Sequence, residues 1–181
     1  MPSYDPNLVQ ATGRLLATPR ESATTSITLT SGRAQLVGFT PTASFRVSVL
    51  IAAIRGTAAA TITLARLGLY TVSGDGSATL VARGPASTAL GGSTFSTAHQ
   101  ALDTTGGYPA FYDLVSGQRY AMACLWVATT PPAVTGSQGS AAINSWLPWL
   151  AMHVNSQTDL LTSYAVSAMT PSAEAPLMAA A

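Results

Sequence analysis

Residues 111–132 read FYDLVSGQRYAMACLWVATTPP, and this stretch decides the fold class. Phe111 to Val115 and Arg119 to Thr129 are two apolar-rich runs separated by Ser116-Gly117, a pair that suits a tight turn. In the second run Tyr120, Met122, Cys124 and Trp126 recur at every second position, the period of a strand with one face turned to a core. Pro131-Pro132 stops the run, because proline cannot donate to a ladder. The expectation is a β-hairpin.

The same pattern recurs upstream. Ile27 and Leu29 alternate with Ser and Thr, Ser31-Gly32 follows, and Arg33 to Phe39 forms the next run, which predicts another hairpin. Phe45, Val47, Val49, Ile51 and Ala53 share one parity and Leu50, Ala52 and Ile54 the other, so one long strand covered on both sides is expected. Ile62 and Leu64 are out of phase with Leu67 and Leu69, which places a bulge near Ala65-Arg66. Tyr70 to Val72, the turn Ser73-Gly74-Asp75-Gly76 and Thr79 to Arg83 read as a third hairpin. Phe95 to Leu102, Trp149 to Val154 and Thr162 to Val166 read as further strands, and 133–145 as a small, polar loop. Short strands with turns at fairly regular spacing, and no amphipathic helix of normal length, indicate an all-β antiparallel sandwich. Its span is 25–168. Residues 1–24, punctuated by Pro2, Pro6 and Pro19, are expected to form an extended N-terminal arm, with Tyr4, Leu8, Val9, Leu15 and Leu16 as its anchoring side chains. The Ala- and Pro-rich residues 169–181 are expected to be a C-terminal tail.

Charged residues make up 8% of the 181 residues, against about 25% in an ordinary soluble domain. Lysine is absent, and Ser and Thr together supply about a quarter of the chain. With a net charge of +1, little repulsion keeps copies apart, so much of the surface is expected to sit against other subunits. The eight arginines are spread singly, which argues against nucleic acid as a partner. The most apolar stretch, Val47 to Ala65, is broken by Arg55-Gly56 and does not read as a membrane span.

Chemistry-bearing motifs are scarce. No G-x-S-x-G elbow is present, and without lysine neither a P-loop nor a Schiff base can be built. His99 and His153 lack metal-ligand spacing. Asp103 and Asp113 are the residues for a paired acid and base, but both adjoin turns, where Asp usually bonds local amides. Asp75 alone does not make a cation site, and Cys124 reads as a small buried hydrophobe. No catalytic residue, metal or cofactor is expected. The aromatics beside loops, Tyr108, Tyr112 and Trp146, are the candidate contacts for a ligand or host surface, whereas Trp126, Trp149 and Phe111 are expected in the core.

The order of certain motifs adds a resemblance. Ala65-Arg66-Leu67-Gly68-Leu69-Tyr70-Thr71-Val72, then Gly74-Asp75-Gly76, Thr79-Leu80-Val81-Ala82-Arg83, Leu114-Val115-Ser116-Gly117-Gln118-Arg119-Tyr120-Ala121 and Gln157-Thr158-Asp159-Leu160 together resemble a β-sandwich module of actinobacteriophage virion surface proteins. The resemblance covers roughly Ser26 to Val166. It implies a jelly-roll-like sandwich, homo-oligomeric with the trimer as the usual form, on the virion in a minor tail or tail-fibre protein that meets host envelope glycan. Two alternatives stand beside it. One is a capsid decoration or head-fibre protein whose N-terminal arm clips to the major capsid protein. The other is a free carbohydrate-binding module.

Overall fold

The structure, a computed structural model, describes residues 15–16, 24–144 and 149–181. The fold is an all-β antiparallel sandwich. Its strands are β1 (Leu15–Leu16), β2 (Thr25–Thr28), β3 (Ala34–Phe39), β4 (Phe45–Val47), β5 (Val49–Ala53), β6 (Ala60–Val72), β7 (Ala78–Arg83), β8 (Thr97–Ala101), β9 (Tyr112–Leu114), β10 (Tyr120–Thr130), β11 (Ala133–Gln138), β12 (Ala151–Val154), β13 (Ser163–Tyr164), β14 (Thr170–Pro171), β15 (Glu174–Pro176) and β16 (Met178–Ala180).

A seven-stranded sheet runs in the order β13-β7-β6-β10-β3-β12-β14, with β10 paired to β6 on one edge and β3 on the other. Facing it are smaller sheets, β1-β16-β5-β8, β15-β11-β2 and β4-β9. The alternation of β10 feeds two cores. Tyr120, Met122, Cys124 and Trp126 join Val37, Leu67, Leu69, Leu50 and Ile27 between the layers. Ala121, Ala123 and Leu125 join Leu36, Tyr70, Trp149, Leu160 and Tyr164 on the other face. That outer face is covered by the chain after Val154. Leu160 fits over Gly68, where a Cβ would come within 2.6 Å of the Leu160 side chain. The Tyr70 hydroxyl donates to the Leu161 carbonyl at 2.9 Å. Arg66, 6% exposed, donates to the Asp159 carboxylate.

The predicted hairpin at Ser73–Gly76 is present, with β6 and β7 paired around it. The other two are not hairpins. β2 pairs with β11, while β3 lies in the opposite layer. Ser31-Gly32, with Gly32 at φ +70°, carries the chain across the core, so Ile27 and Val37 enter the inner core from different sheets instead of lying side by side in one. Likewise β9 pairs with β4, and the turn at Gly117 (φ +78°) hands the chain to β10 in the large sheet. A turn dipeptide fixes a reversal of direction, but whether the two arms share a ladder or arch over a core is set by tertiary burial.

Other expectations shift too. The long strand 45–53 breaks at Ser48, whose N–H donates to Ala181, and the phase changes there, so that Val47 and Leu50 both reach the inner core. The bulge in β6 falls at Thr63, between the pairs Val127–Leu64 and Ala128–Ile62, just ahead of Ala65-Arg66. Residues 133–138, read as loop, form β11 between β2 and β15. Residues 169–181, read as a tail, supply β14, β15 and β16, with Met178 and Ala180 in the inner core. Small side chains hid these strands, because Ala, Gly and Ser give weak alternation. Of the expected arm, Leu15 and Leu16 form β1 against β16. Tyr4, Leu8 and Val9 lie outside the described residues.

A buried side-chain amide helps to join the layers through polar atoms. Beyond Arg83 the chain bulges away from β6 and returns to it at Ser87, which pairs with Ala65; in the gap the Leu67 N–H is met by Gln100 of β8, whose Oε1 accepts at 2.6 Å. Gln100 Nε2 donates to the Pro85 carbonyl at 2.8 Å. Gly84 makes room, since a Cβ there would lie 2.3 Å from Gln100 Oε1. Removing one side of a buried hydrogen bond leaves the other unsatisfied. Gln100→Leu is therefore expected to lower unfolding free energy by about 1–3 kcal/mol in urea titration, while Gln118→Leu, on an exposed turn, changes it by less than about 0.5 kcal/mol. Equal, small effects from both would contradict the tie.

Candidate contact surface

The loop between β8 and β9 carries Tyr108 and leads into Tyr112 on β9, two of the aromatics singled out from sequence. Asp103 opens it. Its carboxylate accepts from the Thr105 amide at 2.9 Å and from the Thr105 hydroxyl, and these bonds hold its carboxyl below the usual range. The Asp103 N–H donates to the Arg83 carbonyl at 2.7 Å. Tyr108 is partly buried against the outer core, with the Arg83 guanidinium 4.7 Å from its ring centre. Tyr112, on β9, packs against the inner core and meets the Tyr120 ring edge-on at 6.2 Å. Tyr108 and Tyr112 therefore pack against different cores. Trp146 lies outside the described residues.

Phe111 reverses its expected role. It is 48% exposed, whereas Trp126 and Trp149 are buried as expected. The alternation of β9 explains why. Tyr112 and Leu114 point inward, so Phe111, Asp113 and Val115 point out. Across from Asp113 on β4 stands Arg46. Its Nε donates to Asp113 Oδ1 at 2.7 Å and a terminal nitrogen donates to Oδ2 at 2.9 Å. The same guanidinium lies 4.2 Å from the Phe111 ring centre. Both members of the ion pair are more than half exposed, and the hydrogen bonds from Arg46 hold the Asp113 carboxyl below its ordinary range. Beneath, the Val115 N–H donates to the Tyr120 hydroxyl at 3.0 Å, which fixes the end of the strand to the core. The result is a small platform of one aromatic ring, one bidentate ion pair and one exposed valine. The sequence signal was the parity of β9 itself, with Phe111 in phase with Asp113.

The remaining chemistry-bearing residues have local roles. Asp75 closes its turn through Ser73 and Ser77. His99 is exposed, with Nε2 2.7 Å from the Thr97 hydroxyl. His153 neighbours Gln35 across β12 and β3, and burial together with Arg33 lowers its pKa. Among the described residues no group of three or more His, Cys, Asp or Glu is placed to hold a metal. An open cleft of about 370 Å³ lies between Ser73–Gly76 and Gly117–Arg119, and the Arg119 guanidinium beside it donates to the Trp149 carbonyl. No protein-family model and no curated protein matches the chain.

Cys124 is fully buried, and burial pushes its thiol up to about 12. Alkylation needs the thiolate. In native protein at pH 8 a thiol reagent is expected to leave Cys124 unmodified, and in denaturant to modify it fully. Rapid native labelling would contradict the packing of the inner core.

Proposed function

We propose that this protein is a structural subunit displayed on the surface of a phage virion, of the minor tail or tail-fibre type, and that its outward surface meets the host envelope. The observation that carries this reading is the scarcity of charge on a folded sandwich: 8% of residues are charged. Some of those few charges are withdrawn from solvent. Arg66 is buried against Asp159, and Arg119 is turned onto Trp149. A surface of this kind, built on Ser, Thr and Ala, suits a subunit held among others better than a free monomer. The motif order from Ala65 to Leu160 supports the same reading by resemblance. Fold by itself does not specify function, so the placement on a tail rests on that resemblance and on the exposed platform of β4 and β9.

Quantitative mass spectrometry of purified virions, scaled to the major capsid protein, tests the reading. The chain is expected at a handful to a few dozen copies per particle. Hundreds of copies would replace the tail placement with a shell decoration role, and absence from virions would overturn the proposal.

A further inference from the structure

We propose that the platform formed by Phe111, Arg46 and Asp113 is a binding site for a single pyranose ring of a neutral glycan. The inference rests on the host-contact reading above and gives it a site and a ligand class. A pyranose has an apolar C–H face and an equatorial rim of hydroxyls, each able to donate and accept. Phe111 supplies the matching apolar surface. One face of its ring is covered by the Arg46 guanidinium at 4.2 Å, and the residue as a whole is 48% exposed. The rim finds its partners in the ion pair. A guanidinium has five N–H donors, of which the bidentate pair engages two, and the carboxylate keeps lone pairs beyond those that Arg46 takes. Donor and acceptor therefore stand side by side, as two vicinal hydroxyls require.

The site is preorganised. The fork fixes Arg46 and Asp113 to each other, the guanidinium fixes Phe111, and Tyr120 fixes the strand end. Little rotamer freedom remains to be lost on binding. A protein partner is a poorer match, because a stable protein interface needs about 800 Å² on each side, more than the outward face of one three-residue strand and its flanks provides. A single ring on an open platform binds weakly, in the millimolar range. Several copies on one particle would turn that into useful avidity.

The test is a titration of the isotopically labelled whole chain with methyl glucoside, methyl galactoside and methyl mannoside, followed by amide chemical shifts. At least one sugar is expected to move the amides of residues 111–115. Phe111→Ser is expected to weaken binding at least tenfold, and Asp113→Asn several-fold. Tyr108→Ala is expected to leave it unchanged. Phe111 and Asp113 are exposed, so these variants fold, which the unchanged remainder of the spectrum verifies. Three results would overturn the inference: no shift with any of the three sugars at tens of millimolar, shifts that survive Phe111→Ser, or a dimer in sedimentation that Phe111→Ser dissolves, which would give the platform to a second copy. The virion reading fails separately, on the mass spectrometry of particles. Sugar binding with absence from virions would sink that reading alone, and presence in virions without sugar binding would sink only this one.

Discussion

The structure depends on a strand, β10, that is paired on both edges and buried on both faces. Tyr120 to Trp126 has no solvent side to spare, so each residue must suit one of two cores. Large side chains go inward, where Trp126 donates its indole N–H to the Leu90 carbonyl at 2.8 Å. Ala121 and Ala123 go outward, where the covering chain lies close. A sheet buried on both faces is usual for parallel α/β folds, where helices cover it. Here β-strands cover one face and irregular chain the other, and the irregular cover needs polar fastening that a helix would not.

That need explains where the buried polar groups stand. Gln100 meets a backbone N–H of β6 that the bulge between Gly84 and Ser87 leaves without a ladder partner, and Arg66 reaches from the same strand to Asp159 in the outer cover. Both fastenings occur within two residues of β6, one on each face. The seven-stranded sheet is thereby tied to the layer above and the chain below at nearly the same level. The rest of the surface is free to remain Ser, Thr and Ala, and the outward face of β4 and β9 carries the Arg46–Asp113 pair without structural duty in either core.

The sequence made the strand periods of β10, β6 and β7 plain, because large and small residues alternate there with strong turn dipeptides between them. Pairing partners were less legible. Ser31-Gly32 and Ser116-Gly117 mark turns correctly, but both turns cross between layers, and nothing local separates a crossing from a hairpin. Ala133–Gln138 and the strands after Met169 carry too little side-chain contrast to declare themselves. In the contact region, reading Phe111 as a core residue followed size and overlooked phase. With Tyr112 and Leu114 inward, strand geometry leaves Phe111 only the outward face. Arg46 could not be foreseen beside it, since the pairing of β4 with β9 is set by the whole sandwich.

Hydrogen exchange measured residue by residue tests the central role of β10 most directly. Amides of Ala121 to Val127, with their partners in β3 and β6, should be the slowest in the protein and should exchange only through global unfolding. Edge strands β13 and β14 should exchange earlier, through local opening. If β10 exchanged as fast as those edges, the sheet would not be buried on both faces, and the account of the fold would be wrong.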